Sequence, residues 1–181
     1  SLPGSDAAAA LSADGKRLAV GGTKGFSEKD KGRPPTAVVW DVDANKELVT
    51  LTPAQNDSVF VALSADGKRL ATWGHHYDRA AKDPPKPADD PGRVIQFWDP
   101  ATGTEVAKAR VLSGYSPVAV AFSPDGATAA ASGADGSVHL FDPATGAAKG
   151  LLLGRARQGR RLAFSPDGRT LAAAGDDGSV Q

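Results

Sequence analysis

A Ser-(Pro or Ala)-Asp-Gly segment occurs four times in this chain, at residues 12–15, 64–67, 123–126 and 165–168, each time between two short apolar runs. Successive serines are 52, 59 and 42 residues apart. The first two intervals are longer because each holds a polar, proline-rich insertion, so the underlying unit is about 42 residues. A period of that length belongs to a repeat of whole β-units, and it constrains the fold more than any composition total.

The third unit is the plainest. Residues 118–122 form an apolar run, Ser123-Pro124-Asp125-Gly126 a tight turn, and 127–131 the return strand. Pro124 suits the φ of a turn position, and Gly126 the positive φ that closes it. Asp135-Gly136 makes a second turn, 138–141 a third strand with apolar residues on both faces, 142–146 a third turn, and 148–153 a fourth strand. A four-stranded meander of this kind cannot bury both faces alone, so it asks for neighbours stacked on either side, as radial repetition provides. The same register predicts strands at 7–11, 16–21, 37–40 and 46–51 in unit one, and at 59–63, 68–73, 94–98 and 104–112 in unit two. Asn45 aligns with Gly103 and Gly146, and asparagine is the non-glycine residue best suited to a left-handed backbone. Unit four has strands at 162–164 and 170–174 and the Asp177-Gly178 turn, and the given sequence stops where its third strand begins.

The third strands close on Trp40-Asp41, Trp98-Asp99 and Phe141-Asp142, and two first hairpins read Phe122-Ser123-Pro124-Asp125-Gly126 and Phe164-Ser165-Pro166-Asp167-Gly168. In these residues the chain resembles the WD-repeat β-propeller family. The resemblance implies an all-β fold: about three and a half four-stranded antiparallel blades in an open arc, a fragment of a propeller. The expected blades are residues 1–53 with an insertion at 23–36, 54–113 with an insertion at 74–92, 114–155, and a partial blade at 156–181, all in one domain. It also implies structural roles for Trp40, Asp41, Trp98, Asp99, Phe141 and Asp142. The Gly-His pair common before the first strand of the family is missing: Gly114-Tyr115 takes its place once, and Asn56-Asp57 and Gln158-Gly159 lie near it elsewhere. Stability is therefore expected from apolar packing between blades rather than from the family's buried hydrogen-bond network. A seven-blade ring at this period needs about 300 residues, so an arc this long is expected to belong to a longer propeller, or to a ring assembled from several chains.

Totals exclude more than they assign. Lys plus Arg and Asp plus Glu both number 21, which gives no global pull toward nucleic acid or an acidic membrane surface. There is no cysteine, hence no disulfide framework or thiolate metal site. No stretch approaches the length of an apolar membrane span, and the start of the chain lacks the charged and apolar segments of a leader. The chain begins without methionine, which leaves a removed leader or a longer parent open. Abundant Ala, Gly and Asp with little Ile and no Met suggest a GC-rich, bacterial genome. Compartment is open, with a soluble cytoplasmic protein favoured.

The insertions between strands two and three leave the same edge of neighbouring blades. By the resemblance, that edge also carries the loops linking successive blades, so the basic link with Arg155, Arg157, Arg160 and Arg161 converges on the same side. The predicted partner surface is this side, with Phe26, Lys29 and Arg33 from the first insertion, His75, His76, Tyr77 and Arg79 from the second, and Arg155, Arg157 and Arg160 from the link. His75 and His76 are adjacent, which makes joint chelation of one ion awkward, and a solvated loop is the favoured reading. The turn aspartates are explained by turn chemistry rather than by acid and base catalysis. No serine elbow, phosphate-binding loop or zinc-protease signature occurs, and no cofactor is called for. The expected function is a non-enzymatic interaction scaffold. Its partner is a protein, the remaining blades of a longer chain, or a second copy through exposed blade faces; membranes are excluded and nucleic acid is disfavoured. The alternative is the regulatory or sensor propeller of an enzyme whose catalytic domain lies outside these residues.

Overall fold

In the computed structural model, residues 8–22, 35–55, 58–74, 90–111, 117–154 and 159–181 are described. Three four-stranded antiparallel sheets follow one another along the chain. Blade one is β1 (Ala9–Leu11), β2 (Arg17–Gly21), β3 (Ala37–Asp41) and β4 (Lys46–Leu51). Blade two is β5 (Phe60–Leu63), β6 (Leu70–Trp73), β7 (Val94–Asp99) and β8 (Thr104–Arg110), and blade three is β9 (Ala119–Phe122), β10 (Ala129–Ser132), β11 (Ser137–Phe141) and β12 (Ala148–Leu153). A two-stranded sheet, β13 (Gly159–Phe164) and β14 (Leu171–Gly175), begins a fourth sector. Each strand pairs with its sequence neighbour, and the blades stack as an open β-propeller arc.

Two cores hold the stack. Between blades one and two, Ala19, Ala37, Val39 and Leu51 meet Val59, Val61, Leu70 and Trp98. Between blades two and three, Ile95, Phe97 and Val111 meet Val120, Ala129 and Phe141, with Phe97 and Phe122 edge to face at 6.2 Å between ring centroids. Alternate residues of β7 thus face opposite neighbours, which is why this strand is apolar on both sides. The expected dominance of apolar packing needs one addition. Trp98 Nε1 donates to Thr72 Oγ1 at 2.9 Å inside the first joint. Both partners lie in blade two's own strands, so the bond does not depend on the missing Gly-His pair.

The repeated turn is held by its serine as well as its glycine. Ser64 Oγ donates to Asp66 Oδ1 at 2.7 Å and accepts from the Arg69 N–H at 2.9 Å, while Asp66 Oδ1 accepts from the Lys68 N–H at 3.0 Å. The other three copies repeat this pattern, and their glycines have φ of 67° to 73°. After this turn β6 starts at Leu70 and β10 at Ala129, two residues later than the apolar pattern alone indicates, whereas β2 starts at Arg17. A bulge precedes the third-strand aromatic in every complete blade, at Val39/Trp40, Phe97/Trp98 and Leu140/Phe141. It leaves Leu48, Val106 and Lys149 unpaired on the outer strands, where all three are exposed.

Candidate functional site: the loop-bearing edge

The feet of both insertions and the link between blades one and two meet at one joint. The Gly22 N–H donates to Thr36 O at 3.0 Å, closing the base of the first insertion, and Gly22 O accepts from the Val59 N–H at 3.0 Å, tying that base to the next blade. Gly74, at the foot of the second insertion, lies so close to the link that a Cβ on it would sit 1.8 Å from Ser58 O. Only glycine fits there. At the far foot, Asp90 Oδ1 accepts from the Gly92 N–H at 2.8 Å, and the Asp90 carboxylate pairs with Arg93 Nε at 3.4 Å. Asp90 O also accepts from Arg110 Nη1 at 3.4 Å. A single helical turn of 3-10 type, Pro91–Arg93, then leads into β7.

The link itself is pinned by buried amides. Gln96 Oε1, in β7, accepts from the Ala54 N–H at 2.6 Å, and Gln55 Nε2 donates to Val94 O at 3.0 Å. Gln96 Nε2 donates to Glu105, whose carboxylate pairs with Lys108 Nζ at 3.3 Å. Sequence reasoning passed over Gln55 and Gln96. The signal for Gln96 is a polar residue within the apolar run Val94-Ile95-Gln96-Phe97-Trp98, which in a strand buried on both faces needs a hydrogen-bond partner; Gln55, in the link, gives no such signal.

In blade three the tight Asp135-Gly136 hairpin stands where the insertions stand in blades one and two. Ser137 Oγ donates to Asp135 Oδ1 at 2.6 Å and lies 3.2 Å from His139 Nε2. His139 is buried and stacks on Phe141, 6.1 Å between centroids. Burial pushes the imidazole below its ordinary pKa, opposed by the charge of Asp135. At Asp135 burial acts upward, but hydrogen bonds from the Ser137 hydroxyl and N–H outweigh it and hold the carboxyl below the usual range. The serine lies between acid and imidazole, so this chain of contacts is not the nucleophile, base and orienting acid of a hydrolase.

Of the residues expected to meet a partner, Phe26, Lys29, Arg33, His75, His76, Tyr77, Arg79, Arg155 and Arg157 lie outside the described residues. Arg160 lies in β13. The structural set is described throughout. Trp98 and Phe141 are buried and Trp40 is half-buried. Asp41, Asp99 and Asp142 each accept a backbone N–H of the following turn at 2.8 Å, from Ala44, Ala101 and Ala144. No group of three or more His, Cys, Asp or Glu suited to a metal ion is found among the described residues. No helix among them is long and apolar enough to cross a membrane.

Repeating four-stranded blades stacked around an open arc define a β-propeller. The family described as WD domain, G-beta repeat matches residues 107–142 and 160–181, within the third blade and the fourth sector. Autophagy-related protein 18 of Meyerozyma guilliermondii is 27% identical over 105 residues, 58% of this chain and 16% of that protein. A chain in the crystal structure of a mitotic checkpoint complex superposes with a TM-score of 0.68 at 23% identity, over 96% of this chain and 47% of that one. This chain therefore spans about half the length of the solved chain and a smaller share of the curated relative.

Proposed function

We propose that this arc is an interaction scaffold. The edge carrying insertions 23–36 and 74–92 and the basic link 155–161 docks on a protein partner or on a neighbouring domain of its own parent chain. One observation carries the reading: the feet of both insertions are locked to the same link, through the 3.0 Å bond from the Val59 N–H to Gly22 O and the fit of Gly74 against Ser58. The feet of two long insertions are thus held side by side on the strands, the arrangement in which loops supply binding and strands supply position. We place the blade boundaries after residues 53, 113 and 155, which sets the basic link at the entrance to the fourth sector. The mitotic checkpoint complex chain shares the fold and is itself part of an assembly, in keeping with a docking role.

The test is cross-linking in cells followed by affinity measurement on the partner recovered. Deleting residues 80–89 should leave the thermal midpoint within a few degrees of wild type and weaken partner affinity at least about tenfold, roughly 1.4 kcal/mol. Reversing the charge at Arg155 and Arg157 should weaken it in a salt-dependent way. Unchanged affinity in both variants would refute the assignment of this edge.

A further inference from the structure

The outer strand of blade three departs from its two counterparts. Ala131 of β10 pairs with His139 of β11, which pairs in turn with Leu151 of β12, and Ser137 pairs with Leu153. Paired residues share a face of the sheet, so Leu151 and Leu153 stand on the face that sets Ala131 and Phe141 against blade two. Leu152 lies on the other face, paired with Val138, and is not part of this patch. The same register puts Lys108 and Arg110 at these positions in blade two, opposite Gln96 and Val94, and Thr50 at the first of them in blade one, opposite Val38. Such positions stay open to solvent in a blade with neighbours on both sides: the Lys108 side chain is 54% exposed. Polar residues suit them. Blade three instead exposes Leu151 at 53% and Leu153 at 82%. As the last strand of its sheet, β12 also turns alternate N–H and C=O groups away from β11, with no strand against them among the described residues. Charged side chains normally guard an edge of this kind. β4 carries Lys46 and Glu47, and β8 carries Glu105, Lys108 and Arg110. β12 has Lys149 alone, with its Nζ folded back onto Ala127 O at 2.6 Å, which leaves residues 150–153 without a charge.

We propose that the free edge of β12 takes up an extended acidic peptide as a fifth strand of blade three, with apolar side chains of the peptide beside Leu151 and Leu153 and carboxylates at its ends. This surface lies on the outer rim of the blade and does not depend on the insertions. Two features select the occupant. The outward backbone groups call for a partner with N–H and C=O groups of its own at strand spacing, which a lipid surface lacks. Charge complementarity sets the sign. Residues 143–166 hold Lys149, Arg155, Arg157, Arg160 and Arg161 and no acidic residue, so cations flank the uncharged stretch in the sequence on both sides. Glu47 and Glu105 on the other two outer strands work against carboxylates there.

The test is fluorescence anisotropy of the 181-residue chain with a labelled peptide in which valine alternates with threonine and glutamates stand at both ends. A second peptide has lysine in place of glutamate, and vesicles containing phosphatidylserine are tested by co-sedimentation. The glutamate peptide should bind with a Kd below about 1 mM and the lysine peptide at least about tenfold more weakly. Added salt should weaken the glutamate peptide, and hydrogen exchange should slow in residues 148–153 when it binds. Leu151→Thr combined with Leu153→Thr keeps strand-forming residues at an exposed rim, so circular dichroism should match wild type while affinity falls at least about tenfold. Lys149→Glu, which gives β12 an acid like those of the other outer strands, should also weaken binding, and it serves as the test if the double variant does not fold. No binding of the glutamate peptide, equal binding of the two peptides, or protection confined to other strands would overturn the proposal. Unchanged affinity in the folded variants would overturn it as well. Binding of the vesicles without binding of the peptide would refute it and assign the leucines to a membrane surface.

Discussion

Trp98 and Thr72 are both buried, and each satisfies the other's polar group. Val20 and Ala131 hold the place of Thr72 in blades one and three, so among the described residues only blade two can make this bond. Trp98→Phe should cost about 1–3 kcal/mol, because the Thr72 hydroxyl is left buried without its donor. Adding Thr72→Val should restore much of that loss, since blade three already pairs Phe141 with an apolar residue. Urea denaturation of the two variants and wild type measures both steps, and additive losses would contradict the coupling. Trp73 is the contrasting case: its indole N–H is buried with no acceptor among the described residues, and its ring stacks on Phe60 at 5.9 Å. Trp73→Phe should therefore cost less than Trp98→Phe. A Trp-Asp pair is visible in the sequence, but whether the indole finds an acceptor depends on the neighbouring strand, here on Thr72, two residues beyond the Leu70 that stands opposite Trp98.

The first hairpin of each blade is the element most legible in the sequence and still incompletely so. Its position and its Asp-Gly turn follow from the repeat alignment, and Gly15, Gly67, Gly126 and Gly168 have φ of 67° to 73°. The left-handed backbone shared by Asn45, Gly103 and Gly146 in the turn between third and fourth strands follows likewise, with φ of 47°, 73° and 74°. The serine's part is less apparent, although it recurs in all four copies. Ser64 is fully buried and joins Asp66 to the Arg69 backbone. Ser64→Ala should cost about 1–3 kcal/mol by stranding the Arg69 N–H, read as a lower urea midpoint with an unchanged slope. Asp66 should then titrate closer to an ordinary carboxylate. Burial acts to raise its pKa, and the hydrogen bond from Ser64 leads the contributions that hold it low.

For the whole arc, these local effects add up to a pH dependence of definite sign. Asp14, Asp125 and Asp167 are held below 3.8 chiefly by the hydroxyls of Ser12, Ser123 and Ser165. At Asp66 and Asp135 burial acts upward, and hydrogen bonds again bring the net shift below 3.8. As pH falls through about 4 the unfolded chain binds protons first, so the folded state loses stability. His139 is displaced below 6.5 by burial, so the unfolded chain also gains the proton first as pH falls from about 6.5, and stability declines there too. The thermal midpoint should fall in two stages on acidification, and His139→Gln should remove the upper one, glutamine being the residue at the matching position of β7. A wild-type midpoint constant between about pH 7 and 5 would contradict the role of His139. The sequence by itself determined the β-propeller class, the four-strand unit and the position of nearly every strand, because these follow from a short period of turn residues and apolar runs that each unit repeats. Packing between blades set the rest: the amide pins on the link and the glycines required by close blade contact. Each of these depends on which atoms a neighbouring blade brings within a few ångströms, and that distance is fixed by packing between units far apart in the chain.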